Sequence, residues 1–486
     1  MSDQELPFHL RGNFRPVTEE RTVVDLPVEG AIPPELRGVY MRNGPNPPSG
    51  YSPHWFVGDG MLHGVRLENG RARWYRNRYV RTRTFTEGVS FVDGNGAVDH
   101  SAGVNNTNVV QHAGRVYALV ESSFPVEVTR ALDTVGVCDF GGRLTTSFTA
   151  HPKPCPRTGE LHFFGYRFLP PFLTYHVLDA SGALVKSEVI DVPAPTMIHD
   201  FAITAGHAIF MDLPVVFDLE LALQERFPYR WSDDYGARLG VMPRAGGNAD
   251  VRWFAIDPCY VFHPLNAYED GATIVLDVAR YPELWRGGAK GISTATLWRW
   301  TIDLAGGRVS ERQLDDRAVE FPRADDRVSG LPHRYGWAAA NVFENADDRG
   351  RSCALIKYDL RSGAATAHEF GVGRTPSEGV FVPASAGAGE DEGWVMQYVY
   401  DAARDATDFV LLDAGDVRRP PVAVVKLPAA SPASTATGSR TDQGTLRRFG
   451  HICGRCVRNA ATSPFLTARP RGAAASVCAR GRRRTR

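Results

Sequence analysis

The segment Gly64-Val-Arg-Leu-Glu-Asn-Gly-Arg-Ala-Arg-Trp74 reads as two short alternating runs joined at Glu68-Asn-Gly70. Asn and Gly tolerate the positive φ that a tight turn between twisted strands demands, so the segment predicts a β-hairpin. The same shape returns at Tyr175-His-Val-Leu-Asp-Ala-Ser-Gly-Ala-Leu-Val185, at Trp300-Thr-Ile-Asp-Leu-Ala-Gly-Gly-Arg-Val309 and at Lys357-Tyr-Asp-Leu-Arg-Ser-Gly-Ala-Ala-Thr366. Phe409-Val-Leu-Leu-Asp-Ala-Gly-Asp416 reads as a fifth, incomplete copy.

Working outward, short strands dominate: Arg115-Val-Tyr-Ala-Leu-Val120, Thr273-Ile-Val-Leu-Asp-Val278 and Gly393-Trp-Val-Met-Gln-Tyr-Val399 alternate or run apolar. Helical periodicity is scarce, and Leu219 to Phe227 is the best short helix. So many short strands would overfill a two-sheet sandwich. The reading is therefore all-β, a propeller whose blades leave only short edges, running without a linker to about Pro428.

Composition narrows the function classes. Hydrophobic residues make up 43% and charged residues 23%, and Lys+Arg at 55 equals Asp+Glu at 55, which gives no reason to expect nucleic acid or an acidic partner. No apolar run approaches the roughly 18 residues of a spanning helix. Met1 to Pro16 is polar and lacks the apolar core of a secretory signal. The expected location is the cytoplasm, with peripheral contact at a membrane surface left open. Of seven cysteines only Cys453 and Cys456 form a C-x-x-C, and no second pair completes a zinc set, so reduced thiols are expected.

After Pro428 the character changes. Residues 429 to 442 are rich in Ala, Ser, Thr and Pro without a strand pattern, and Gln443 to Arg486 carries eleven Arg but no Asp or Glu. A basic arm for nucleic acid or anionic lipid is one reading. The favoured one is a tail, 429–486, that packs against nothing and is disordered.

Three of the fourteen histidines sit in settings unlike a solvated loop: His151 in Phe148-Thr-Ala-His-Pro-Lys153, His199 in Thr196-Met-Ile-His-Asp-Phe201, and His263 in Tyr260-Val-Phe-His-Pro-Leu-Asn266. Each follows small or apolar residues and is expected to point inward from a strand end. A single inward histidine is more often a hydrogen-bonded core residue than a metal ligand, and spacing alone does not show that the three converge.

These segments resemble the iron-ligand motifs of the carotenoid cleavage oxygenases, a family that includes lignostilbene dioxygenases. Further matches are Gly38-Val-Tyr-Met-Arg-Asn-Gly-Pro-Asn-Pro47, His54-Trp-Phe-Val-Gly-Asp-Gly-Met61, Asn106-Thr-Asn108, Glu121-Ser-Ser-Phe-Pro125 and Ser377-Glu-Gly-Val-Phe-Val-Pro383. The resemblance runs from about Gly12 to about Pro428, in the family's order. It implies a seven-bladed propeller with Fe(II) on its axis, four histidine ligands from innermost strands, and three glutamates hydrogen-bonded to the outer ring nitrogens. Carried over by position, the ligands are His151, His199 and His263, and the glutamates are Glu121, Glu320 and Glu378. Neutral imidazoles suit Fe(II), and a carboxylate on the far nitrogen fixes the tautomer.

The family's fourth ligand lies in a motif close to Val-Pro-x-Gly-Phe-His-Gly-x-Trp and should follow Val422-Ala-Val-Val-Lys-Leu-Pro428. In its place stands Ala429-Ala-Ser-Pro-Ala-Ser-Thr-Ala-Thr-Gly-Ser-Arg-Thr-Asp442. Read one base earlier, codons for that run allow Arg-Val-Pro-Gly-Phe-His-Gly-Asn-Trp-Ile-Pro, with the His codon straddling Ser434 and Thr435. The expectation is a frameshift or sequencing error near Ala429, which also explains an acid-free, Arg-rich tail and predicts a disrupted C-terminal closure of the propeller. His451 lies in a segment without strand character and is not expected to substitute.

The activity implied is O2-dependent scission of a conjugated C=C bond into two carbonyl products. The substrate is an apolar carotenoid or apocarotenoid, or a stilbenoid. Cleavers of hydroxystilbenes in the family tend to carry Lys just before the first glutamate, and Val120 here leans toward the hydrocarbon. Phe56, Phe163, Phe262 and Phe381 are equally readable as pocket walls or as plain core. The alternative is a degenerate propeller that only binds an apolar ligand because the fourth histidine is missing. A pure protein-interaction scaffold ranks last, since it predicts no inward histidine set.

Overall fold

Alternation sets the architecture. In Arg71–Tyr79 the side chains of Ala72, Tyr75, Asn77 and Tyr79 are buried while Arg71 and Arg73 are exposed, as a half-covered strand requires. The preceding turn uses Asn69 at φ 52° and Gly70 at φ 72°, the left-handed pair read from the sequence. The computed structural model describes residues 6–93, 97–224, 226–286, 293–341 and 352–429. The Arg-rich tail beyond 429, with His451 and the Cys453 and Cys456 pair, lies outside the described residues.

The strands form a seven-bladed propeller. Its blades open, in chain order, with the inner strands Gly38–Pro45, Asn108–His112, Lys153–Pro154, Phe201–Ile203, Tyr260–Asp270 and Val319–Arg323, and in the seventh with Arg374–Pro376 and Val380–Pro383. From each inner strand the chain steps outward through antiparallel neighbours. Three of the repeated hairpins are third-to-fourth strand turns, in the third, fifth and sixth blades; the quoted hairpin at 64–74 joins the second and third strands of the first blade. Phe409–Asp416 ends the strand Ala406–Asp413 and makes no tight return. The predicted helix is present but short, Leu219–Leu223, with Asp218 accepting from the Leu221 amide at 3.1 Å.

Apolar side chains are packed between blades rather than in one centre. Each seam has its own core, including Val39, Leu62 and Val116 between the first and second blades and Ile209, Leu239 and Trp300 between the fourth and fifth. The ring-closing seam, seventh to first, holds Tyr40, Tyr75, Met396, Tyr398 and Phe409. Two short N-terminal strands complete the edges. Thr22–Val24 is the outer strand of the first blade, while Val28–Gly30 pairs with Ala423–Ala429 on the seventh, with Val28 opposite Val425. The described chain therefore closes its ring at the outer edge; the closure expected to be lost concerns residues beyond 429.

Candidate metal centre

Neighbouring inner strands bring the three histidines to one place. His151 stands two residues before Lys153–Pro154, His199 two before Phe201–Ile203, and His263 within Tyr260–Asp270. Pro264 cannot donate to the ladder, and the strand register shifts on both sides of it, which re-aims His263. The rings lie 4.5 Å (His151–His199), 5.0 Å (His151–His263) and 5.0 Å (His199–His263) apart, centroid to centroid. All three are buried, and one nitrogen from each falls within 4.8 Å of the others.

Two of the rings are held from behind. Nδ1 of His263 donates to Glu320 Oε2 at 2.6 Å, and Glu320 also accepts from the Tyr281 hydroxyl at 2.8 Å and from the Phe321 amide. Nδ1 of His199 faces Glu121 Oε1, whose other oxygen accepts from the Tyr166 hydroxyl at 2.6 Å. Burial and the adjacent carboxylates push both tyrosines well above their ordinary pKa, so each remains a neutral donor. Glu320 sits at a second break in a strand, where the register shifts before Arg323 and Phe321 takes φ 54°. Glu378 is also buried at a break, between the two pieces of the seventh inner strand, but it accepts from Arg323 Nη1 at 2.9 Å. Next to it Gly379 allows a close approach: a Cβ there would meet Leu355 and Val395 at 2.9 Å.

This arrangement calls for a cation. With Nδ1 of His263 donating to Glu320 and Nδ1 of His199 set against Glu121, each Nε2 is left to present a lone pair, yet the Nε2 atoms of His199 and His263 lie 3.2 Å apart. Nitrogens at right angles on a metal with bonds of roughly 2.1 Å would be roughly 3 Å apart. Nε2 of His151 is buried with no hydrogen-bond partner among the described residues. Burial, then the neighbouring His199 and His263, drive His151 well below the usual histidine range. Burial opposes protonation of His263 too, but Glu320, with Asp200 and Glu378 beyond it, holds its pKa above the ordinary value. The donor set, neutral imidazoles oriented by carboxylates, fits a divalent transition metal.

The two sides of the cluster differ. Toward the N-terminal ends of the inner strands lie aromatic rings: Phe262 meets His199 edge-on at 5.0 Å and Trp285 at 6.2 Å, and Trp285 meets Phe227 at 4.7 Å and Phe56 at 6.3 Å. Phe163 and Phe381 are core, stacked on Phe148 at 3.8 Å and on Trp337 at 4.9 Å respectively. Toward the C-terminal ends lies a cavity reaching His151, His263 and Glu378, in which the charged Lys153, Asp200 and Arg323 stand among apolar walls such as Val109, Ile203 and Leu265.

Comparison with known proteins agrees with this geometry. The family model described as retinal pigment epithelial membrane protein (RPE65) matches residues 14–435. A carotenoid cleavage oxygenase of Mycobacterium tuberculosis is 40% identical over 482 residues, covering 87% of this chain and 95% of that protein. The chain belongs to the carotenoid cleavage oxygenase family. Among solved structures, this oxygenase resembles the lignostilbene dioxygenase of Pseudomonas brassicacearum (29% identity, TM-score 0.79, 89% of this chain and 98% of that one). It also resembles the Synechocystis apocarotenoid oxygenase (27% identity, TM-score 0.80, 90% and 98%), which has been solved in cobalt-substituted form too. By family the protein is a carotenoid cleavage-type dioxygenase, and family and histidine cluster together make it metal-dependent. No helix among the described residues is long and apolar enough to cross a membrane.

Sequence reasoning did not find the tyrosines behind the glutamates, nor Trp285 and Phe227. Tyr166 and Tyr281 end ordinary strands, and only the folded register aims them at Glu121 and Glu320.

Proposed function

We propose that this oxygenase is a non-haem Fe(II) dioxygenase in which His151, His199 and His263 bind the metal. In this reading it cleaves a conjugated C=C bond of a carotenoid or apocarotenoid, with O2, into two carbonyl products. The observation that carries it is the pair of Nε2 atoms at 3.2 Å, each on a ring whose Nδ1 faces a carboxylate, the buried Glu320 or the half-buried Glu121. The chemistry the bound iron supplies is activation of O2 beside the alkene. Glu121 and Glu320 fix the ring tautomers and strengthen the imidazoles as donors. Phe262, Trp285 and Phe227 supply an apolar wall that orients a polyene and keeps water from the reacting bond. Buried Val120, where a phenol-binding lysine would stand, favours a hydrocarbon chain over a hydroxystilbene. The test is anaerobic loading with Fe(II), followed by O2 uptake and mass spectrometry of products from an apocarotenoid and a hydroxystilbene. Two carbonyl fragments from the apocarotenoid are expected; an iron-loaded protein that consumes no O2 with either substrate sinks the proposal.

A second reading rests on Glu378. Glu121 and Glu320 each face a histidine, whereas Glu378 pairs with Arg323, and the fourth-ligand motif is missing from the chain after Pro428. We infer that Glu378 marks the place of a fourth histidine encoded in the other reading frame beyond Ala429. Sequencing the gene across the codons for Lys426 to Asp442 decides this. A missing or extra base restores a four-histidine dioxygenase. An intact frame leaves three ligands, and the chain then binds iron weakly and acts as a binder of apolar ligands.

Peripheral membrane contact has one local support. Phe168 stacks on Phe217 at 5.2 Å, joining the loop of exposed Leu169 to the helix of exposed Leu219 and Leu223. Replacing both helix leucines by serine should release the protein from sedimenting lipid vesicles; unchanged sedimentation removes that support.

A further inference from the structure

The cavity on the C-terminal side of the histidine cluster sets ion pairs among its apolar walls, and a polyene lying there would cover them. Its walls carry Lys153 paired with Asp200 at 2.8 Å, and Arg323 bridging Glu378 at 2.9 Å and Asp326 at 3.1 Å. Covering these pairs with hydrocarbon would strip them of water without replacing it. Asp325, Asp326, Asp200 and Glu378 face Lys153, Arg323 and, from behind the wall, Arg327 on Asp325, so acidic charge is in excess by one. Exposure of the carboxylates drops from 32% at Asp326 to 4% at Asp325, 5% at Glu378 and 2% at Asp200. At the inner end stands His151 Nε2, buried and without a partner among the described residues.

We infer that this cavity is the route by which a hydrated divalent cation reaches His151, His199 and His263, separate from the aromatic side where substrate binds. The inference rests on the metal-binding reading above. Oxygen acceptors stepping inward replace the waters a cation sheds, and the ion meets the first lone pair of the site where the path ends. The aromatic side offers rings in place of such acceptors.

The test follows Co(II) entering metal-stripped full-length protein by stopped-flow absorption. Ser329 lines the cavity and is half-buried, with no side-chain hydrogen bond among the described residues, so Ser329→Trp narrows the passage. This variant should load at least roughly tenfold more slowly, yet reach the wild-type Co(II) content and bind a polyene as wild type does. Asp326→Lys reverses the charge near the outer end without adding bulk at Ser329. It should slow loading roughly two- to fivefold at low salt, with the difference fading at about 0.5 M salt. If Ser329→Trp fails to fold, the Asp326→Lys rate decides alone. Wild-type rates in the folded variants overturn the entry route while leaving the metal site standing. Wild-type protein that takes up no Co(II) overturns both.

Discussion

Glu320 and Glu378 are nearly alike in setting and unlike in partner. Both are buried glutamates at a break in an inner strand, on neighbouring blades, and both border the same cluster. Glu320 holds an imidazole at 2.6 Å, while Glu378 holds a guanidinium at 2.9 Å. The difference teaches that the strand break builds the carboxylate position, and that the partner decides what the position does. Opposite a histidine it orients an imidazole ring. Opposite an arginine it ties the sixth blade to the seventh.

The largest break of that comparison is His263→Ala. Metal content should fall below detection by elemental analysis and O2 consumption more than roughly a hundredfold, because one of three donors is gone. Full metal content in this variant would mean that Glu320 orients nothing. Next, Glu320→Gln should weaken metal binding by roughly 10- to 100-fold in a competition titration, whereas Glu378→Gln should leave it within about threefold. Restoring the alternative frame beyond Ala429 should erase that contrast and make Glu378→Gln as damaging as Glu320→Gln. Glu378→Gln should instead appear in urea unfolding as a loss of about 1–2 kcal/mol, since Arg323 is a quarter exposed and keeps Asp326.

A last effect, read against pH, concerns the seam beside Glu378. His63, on the first blade, donates or accepts at Tyr75 Oη (2.9 Å), and burial, then Arg42, push its pKa down to about 3 from 6.5. Between those values the unfolded chain takes up a proton that the folded chain refuses. Stability is therefore unaffected above pH 6.5 and falls as pH drops toward 3, by at most about 1.4 kcal/mol per pH unit. His63→Gln should flatten the slope of unfolding free energy between pH 6.5 and 4.5; an unchanged slope assigns the acid sensitivity to other buried histidines.

Much of this was readable beforehand, for physical reasons. The hairpins at 175–185, 300–309 and 357–366 were legible because their turns need Gly182, Gly307 and Gly363 at positive φ, and Asp179 and Asp303 to cap the turn amides. The first hairpin was legible as a hairpin but not by rank in its blade, since turn chemistry is the same between any two strands. The histidines were visible through their flanks, yet their convergence was not, because it depends on register shifts at Pro264 and near Phe321 that leave no periodic trace. Glu378 was expected on a histidine ring, and its pairing with Arg323 depends on a strand break three blades from His199. The cavity and the aromatic side were invisible for the same reason: each gathers residues from several blades.

The pairing of Val28–Gly30 with Ala423–Ala429 has a consequence for how the molecule is made. The strand synthesised among the first has its partner synthesised nearly four hundred residues later, so the ring stays open through most of translation. Until then the Tyr40 and Tyr75 face of the first blade has no seventh blade to cover it, which leaves an apolar seam open on the nascent chain. The closing strand ends at Ala429, where the expected frameshift begins. A frame change at that codon leaves the latch itself already encoded, whether or not a fourth histidine follows it.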